Sequence, residues 1–178
     1  MRTSLVLTVL GDDKPGIVEQ LSDRILAAGA NWEESRMARL GGKFAGLLRV
    51  SVDEDRADAL AASLKTLEAG GLIVAAEPGG DNQASGSRTM RLHLIGSDRP
   101  GIIRDISRAL ARHRVNIEEL ETGVTGAPMS GEPLFRANAL LQVPSAVSLD
   151  ALVGVLEALA GELMVDLSVE PAGQATTA

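Results

Sequence analysis

The chain has 178 residues, 45% hydrophobic and 23% charged, a globular composition with room for one medium domain or two small ones. With one Trp, two Phe and no Tyr, its core must be aliphatic, and it lacks the rings needed for base-stacking platforms or aromatic cages. A net charge of −7 disfavours direct contact with DNA or RNA, and the absence of cysteine excludes disulfides, thiolate metal sites and cysteine nucleophiles.

The first strand is expected at residues 4–10, an aliphatic run that stops at Gly11. Asp13 and Pro15 then open a helix, Asp13 as its N-cap and Pro15 in its first turn. Ile17, Leu21 and Ile25, joined by Val18, give that helix one apolar face, and it ends near Gly29. Two strands follow at 32–40 and 43–52, hinged at Gly41-Gly42. A second helix carries Leu60, Leu64 and Leu67, and a last strand occupies 71–77. Residues 78–88 are rich in Pro, Gly and Ser and read as a linker.

The same order then returns. A strand is expected at 90–95, where Met90, Leu92 and Leu94 alternate with Arg91 and His93 and leave one face wet. Asp98 and Pro100 open a helix with Ile102, Ile103, Ile106 and Leu110 that ends near Arg114. Strands are expected at 117–125 and 134–143. A helix with Leu149, Leu152, Val153, Leu156 and Leu159 leads to a strand at 163–170, and 171–178 reads as a flexible tail. The expectation is an α+β fold of two ferredoxin-like βαββαβ units, 3–77 and 89–170. In each, a four-stranded antiparallel sheet carries its helices on one face. At 75–85 residues each unit is small for an independent core, so the two are expected to pack on each other.

The duplication is written in the residues. Gly11-Asp12-Asp13-Lys14-Pro15-Gly16-Ile17-Val18 matches Gly96-Ser97-Asp98-Arg99-Pro100-Gly101-Ile102-Ile103 at an offset of 85. Asn31-Trp32-Glu33-Glu34 matches Asn116-Ile117-Glu118-Glu119 at the same offset. Phe44 aligns with Phe135 at an offset of 91, which places an insertion in the second copy within the turn-like residues 126–133.

The repeated loop has a chemical logic. A helix start offers unpaired N–H groups and the positive end of a dipole to an anion. Gly16 and Gly101 carry no Cβ and admit a close ligand, or serve close packing instead. Asp13 and Asp98 offer carboxylates to an ammonium, or act only as caps. Asn31 and Asn116 each bring a donor and an acceptor, or are turn residues tolerating a left-handed φ. Together these groups could hold an amino-acid zwitterion. Asp12-Asp13 and Glu33-Glu34 read as solvated acidic faces rather than a metal site, and the stripe Arg104, Arg108, Arg112 as a solvated helix face or, alternatively, a dock for an acidic partner surface. Ile17 stands where a phosphate-binding loop needs lysine. His93 and His113 read as structural, and no nucleophile–base pair suggests catalysis.

This duplicated D-[KR]-P-G-[IV] motif with its downstream Asn, in a βαββαβ unit, resembles the ACT domain, a family of small modules that bind amino acids. Two such units filling the chain resemble the glycine cleavage system transcriptional repressor family. The resemblance covers about residues 3–170. It implies a non-enzymatic, amino-acid-responsive regulator without its own DNA-binding element. Such a regulator acts through a protein partner, a transcription activator, with glycine or serine as effector and without cofactor. The alternative is a regulatory subunit of an amino-acid metabolic enzyme. Ligand positions carried over are Gly11, Asp13, Gly16 and Asn31 in the first unit, and Gly96, Asp98, Gly101 and Asn116 in the second. The ligand is expected to bridge a helix start and a strand from different units or subunits; a homodimer is one way to supply them, the other being that the two units of one chain satisfy each other. Ser97 in place of Asp12 and Ile117 in place of Trp32 make the two sites unequal. Apolar runs too short to span a bilayer and an N-terminus unlike a signal peptide make the cytoplasm the expected location, with no membrane association. The halves 1–80 and 81–178 carry net charges of −3 and −4, so neither reads as a basic DNA-binding domain.

Overall fold

A computed structural model describes residues 1–80, 86–127 and 132–172. The chain divides into two compact units, Met1–Asn82 and Gln83–Ala178. The expected linker, hairpin insertion and tail fall partly on 81–85, 128–131 and 173–178, outside the described residues.

In the first unit, β1 (Arg2–Asp12) leads through α1 (Ile17–Ala27), β2 (Asn31–Leu40), β3 (Lys43–Asp53) and α2 (Ala57–Lys65) to β4 (Leu72–Pro78). The second repeats this order with β5 (Ser87–Ser97), α3 (Ile102–Arg112), β6 (Asn116–Gly126), β7 (Pro133–Pro144), α4 (Leu149–Leu163) and β8 (Val165–Pro171). The sheets run β2-β3-β1-β4 and β6-β7-β5-β8, with every neighbouring pair antiparallel. This is the ferredoxin-like order, with the first strand of each unit at the centre and β2 and β6 at edges.

Strand alternation and helix periodicity bring the same positions together in both cores. In the first unit Leu5, Leu7 and Val9 of β1, with Leu48, Val50 and Val52 of β3, meet Ile17, Leu21 and Ile25 of α1 and Leu60 and Leu64 of α2. In the second, Met90, Leu92 and Leu94 meet Ile102, Ile106 and Leu110 of α3 and Leu152 and Leu156 of α4. Each sheet thus buries one face under two helices, and no charged or polar residue is buried in the described chain. The register pairs Gly11 with Phe44 and Gly96 with Phe135, as the offset of 91 requires. A bulge falls between Trp32 and Glu34 in β2 and again between Ile117 and Glu119 in β6, so the repeated Asn-x-Glu-Glu motif encodes an irregular edge strand. Trp32 and Ile117 both pack against their cores.

Two expectations fail at the helix starts. Asp13 and Asp98 do not cap α1 and α3, and Pro15 and Pro100 lie in the turns before the helices rather than within their first turns. The N-caps are Gly16 and Gly101, with φ of 92° and 99°, and no side chain bonds to either cap. A left-handed residue cannot extend a right-handed helix backwards, so each helix begins one residue after its glycine. Ser148, by contrast, caps α4 by accepting from the Ala151 N–H. The last strand also starts later than expected, at Val165, because Leu163 is still helical and Met164 turns left-handed at the helix end.

The described chain has two left-handed non-glycine residues, Arg114 (φ 57°) and Met164 (φ 52°). Both stand where the first unit has glycine: Arg114 corresponds to Gly29 (φ 66°), and Met164, like Gly71 (φ 84°), precedes the first residue of the last strand. A side chain in this region costs about 1–2 kcal/mol, partly offset by the greater freedom of an unfolded glycine. Arg114→Gly and Met164→Gly are therefore each expected to stabilise the second unit by about 0.5–1 kcal/mol, read as a rise in urea midpoint at unchanged slope.

Candidate ligand site at the strand–helix loops

The loop between β1 and α1 is held from several sides. The Asp13 N–H donates to the Gly42 carbonyl at 2.9 Å, and the Lys14 ammonium donates to the Gly70 carbonyl at 2.7 Å. Two ion pairs tie the loop to the β2–β3 hairpin: Arg39 Nε with the Asp13 carboxylate at 2.7 Å, and Lys43 with Asp12. The hydrogen-bonded Lys43 ammonium holds the Asp12 carboxyl below its usual range. That pairing is fully formed at neutral pH and is lost as the pH falls through the lowered value. The helix start contributes the Gly16 carbonyl, which accepts from the Gln20 N–H at 3.0 Å. Asp13, Lys14, Gly16, Ile17, Val18, Glu19 and Phe44 line a depression of about 290 Å³ here.

The second loop keeps the backbone but changes the charges. The Asp98 N–H donates to the Pro133 carbonyl at 3.1 Å, and Arg99 donates to the Glu162 carbonyl at 3.3 Å, the counterpart of the Lys14 strap. Ser97 replaces Asp12 and Val124 replaces Arg39, so both ion pairs of the first loop are missing. The Asp98 carboxylate has no ion-pair partner among the described residues. At the helix start Arg104 replaces Glu19 and pairs with Asp105 at 2.8 Å, and this hydrogen bond holds the Asp105 carboxyl below its usual range. The second helix start thus carries a cation already engaged by a neighbouring carboxylate, where the first carries Glu19.

Gly11 and Gly96 have a packing reason. A Cβ on Gly11 would lie 2.9 Å from Leu72 Cδ1 and 3.0 Å from the Gly71 carbonyl, and one on Gly96 would lie 2.5 Å from Val165 Cγ1. They let the central strand close on the last strand. Gly16 and Gly101 are needed for their backbone conformation: the nearest atoms to an added Cβ are 3.7 Å and 3.3 Å away, at flexible side-chain ends. Asn31 and Asn116 are not left-handed turn residues; they open β2 and β6 in strand geometry.

Within one unit the loop and the asparagine lie at opposite ends of the sheet. Asn31 pairs with Ser51, which pairs with Ser4, whereas Asp13 follows Asp12, which pairs with Lys43. The nine residues from Ser4 to Asp13 span roughly 30 Å of strand at about 3.3 Å each. Asn116, through Gln142 and Thr89, is equally far from Asp98. One small amino acid cannot touch both groups of the same unit. The acidic pairs that a hard cation would need are matched by bases: Arg49 lies 3.4 Å from Glu33 and 3.2 Å from Glu34, and Asp12 and Asp13 are paired as above.

Gly16→Ala is expected to cost about 1–2 kcal/mol because of its left-handed φ, and Arg39→Val less than about 1 kcal/mol because the pair it breaks is exposed. Urea unfolding of both variants checks the order; a larger loss for Arg39→Val would contradict it.

Models of the ACT domain match residues 3–74 and 92–139. The chain is 27% identical over 149 residues to the glycine cleavage system transcriptional repressor of Escherichia coli (strain K12), across 83% of this chain and 77% of that protein. A crystal structure of an unknown protein from Galdieria sulphuraria superposes with a TM-score of 0.87 at 30% identity, covering 97% of this chain and 99% of the other. A provisionally named glycine cleavage system transcriptional repressor shares the fold, with a TM-score of 0.69 at 22% identity over 96% of this chain and 97% of its own. Two matched domains, two ferredoxin-like units and the duplicated loop place this chain in the ACT-domain family, as a protein with two ACT domains in tandem.

Proposed function

We propose that this chain is a non-enzymatic regulator that responds to a small amino acid, glycine or serine, and acts through a protein partner as a glycine cleavage system repressor does. The observation that carries the reading is the likeness to that repressor over 83% of the chain, and the two ACT-domain matches, at 3–74 and 92–139, each take in one strand–helix loop. The acidic charge of both halves supports an effect on genes that passes through another protein. No helix among the described residues is long and apolar enough to cross a membrane, and the reading assigns the protein to the cytoplasm.

An effector that touches both a loop and an asparagine needs them from different ACT domains. In this reading a second copy of the chain supplies the missing half, so effector binding and dimerisation are linked. The second loop is the better site for an ammonium, since Asp98 has no ion-pair partner among the described residues where Asp13 is held by Arg39.

A thermal-shift screen of the amino acids tests this. At one hundred times its Kd an effector stabilises the folded state by about 2.7 kcal/mol. Glycine or serine is expected to raise the midpoint, Asn31→Ala and Asn116→Ala to blunt the rise, and Asp98→Asn to blunt it more than Asp13→Asn. No shift with any amino acid would sink the reading. Affinity capture from cell extract separates the partners: a transcription activator supports it, and a metabolic enzyme replaces it with the regulatory-subunit alternative.

A further inference from the structure

The sheet faces turned away from the helices differ between the units, and only one carries chemistry. In the second unit, successive rows across β7, β5 and β8 read Arg136, Ile95, Asp166 and then Asn138, His93, Ser168. The corresponding rows of the first unit, across β3, β1 and β4, read Ala45, Leu10, Ile73 and then Leu47, Thr8, Ala75. Five polar side chains therefore stand where the first unit has two large aliphatics, two alanines and a threonine, and Ile95 takes the place of Leu10. These residues line a depression of about 270 Å³, together with Leu94 and Leu167, whose side chains belong to the core on the other face. That is room for a small molecule, below the range of drug-sized pockets at about 300–1,000 Å³.

The polar groups are arranged rather than scattered. His93 Nδ1 lies 2.7 Å from Asn138 Oδ1 and its Nε2 lies 3.4 Å from Glu170 Oε1, which fixes the ring across the second row. Arg136 and Asp166 flank Ile95 from the two neighbouring strands, about 10 Å apart at the backbone. Neither has an ion-pair or side-chain hydrogen-bond partner among the described residues. An open guanidinium and an open carboxylate, facing each other over an apolar residue with an imidazole and an amide alongside, complement a small molecule with one carboxylate and one ammonium.

We infer that the open sheet face of the second ACT domain is a separate binding site for a small α-amino acid, with Arg136 on the carboxylate, Asp166 on the ammonium and the His93–Asn138 pair bounding the pocket. The site is independent of the strand–helix loops and requires nothing of them.

The chain has two histidines, so the imidazole resonances of His93 can be followed by NMR with His113 as internal control. Glycine, alanine, serine, aspartate and glutamate are titrated singly to about 10 mM, ten times a millimolar Kd. At least one is expected to shift His93 saturably and leave His113 still, while acetate and methylammonium bind at least about tenfold more weakly. Arg136→Ala and Asp166→Ile place the first unit's residues at the same register positions, in a sheet of the same architecture. Each is expected to weaken the response about tenfold or more with an unchanged circular dichroism spectrum, and Asn138→Leu provides a further variant should either misfold. Asp13→Ala is expected to leave the response intact. No saturable His93 shift with any of the five, an equal response to acetate, or full response in folded Arg136→Ala and Asp166→Ile would overturn the site. A thermal shift by glycine or serine with His93 unmoved would overturn it and leave the loop reading standing.

Discussion

Alternation along the central strand of each sheet governs what the rest of the chain is free to become. Every second residue of β1 and β5 is committed to the helices: Leu5, Leu7 and Val9 in one unit, Met90, Leu92 and Leu94 in the other, all less than a tenth exposed. With three aromatics in the chain, these aliphatics and their partners on β3 and β7 carry most of the apolar burial, and a polar substitution there has no partner to bond with. The intervening residues face away and pay no such penalty. Duplication therefore preserved one face twice and left the other open to diverge, toward aliphatics in the first unit and ionic groups in the second.

The two loops show the same freedom on a smaller scale. The left-handed glycine, the strap from the loop cation to a backbone carbonyl near the end of the second helix or just after it, and the backbone bond to the hairpin occur in both copies, because they set the geometry of the strand-to-helix turn. The ion pairs are exposed, contribute little to stability and have been exchanged. In the first loop Arg39 and Lys43 occupy both acidic residues. In the second the carboxylate is left open and the cation has moved onto the helix start. The loops are alike in backbone and unlike in electrostatics.

Much of this was legible in the residues. The offset of 85, the aliphatic periods and the glycine-bounded strands were enough for the ferredoxin-like order and for the loops and asparagines of the candidate site. The helix caps are not legible, because an Asp before Pro-Gly looks like a cap, while a glycine's positive φ leaves no mark that distinguishes it from a glycine placed for close packing. The bulge in the Asn-x-Glu-Glu segment was not visible either, since period-2 alternation looks the same until pairing is known. The polar sheet face was hidden for a different reason. Thr8 meets His93 at an offset of 85, but Leu47 meets Asn138 at 91 and Ile73 meets Asp166 at 93, so no single alignment of the halves sets the three strands side by side. The separation of loop and asparagine was equally a matter of register, which makes neighbours in a motif into opposite poles of a unit.

The irregularity shared by β2 and β6 has a consequence for assembly. Both are edge strands, and an unbroken edge is a template on which any extended chain can add. The skipped residue near the start of each interrupts the rhythm of free N–H and C=O groups and adds local twist, so a ladder cannot run the whole length of either edge in one register. What remains regular is the stretch from Glu34 to Leu40, and from Glu119 to Gly126. A sheet extended across either edge is thereby limited to a short ladder of fixed phase, which favours a closed pair of chains over an open-ended fibre.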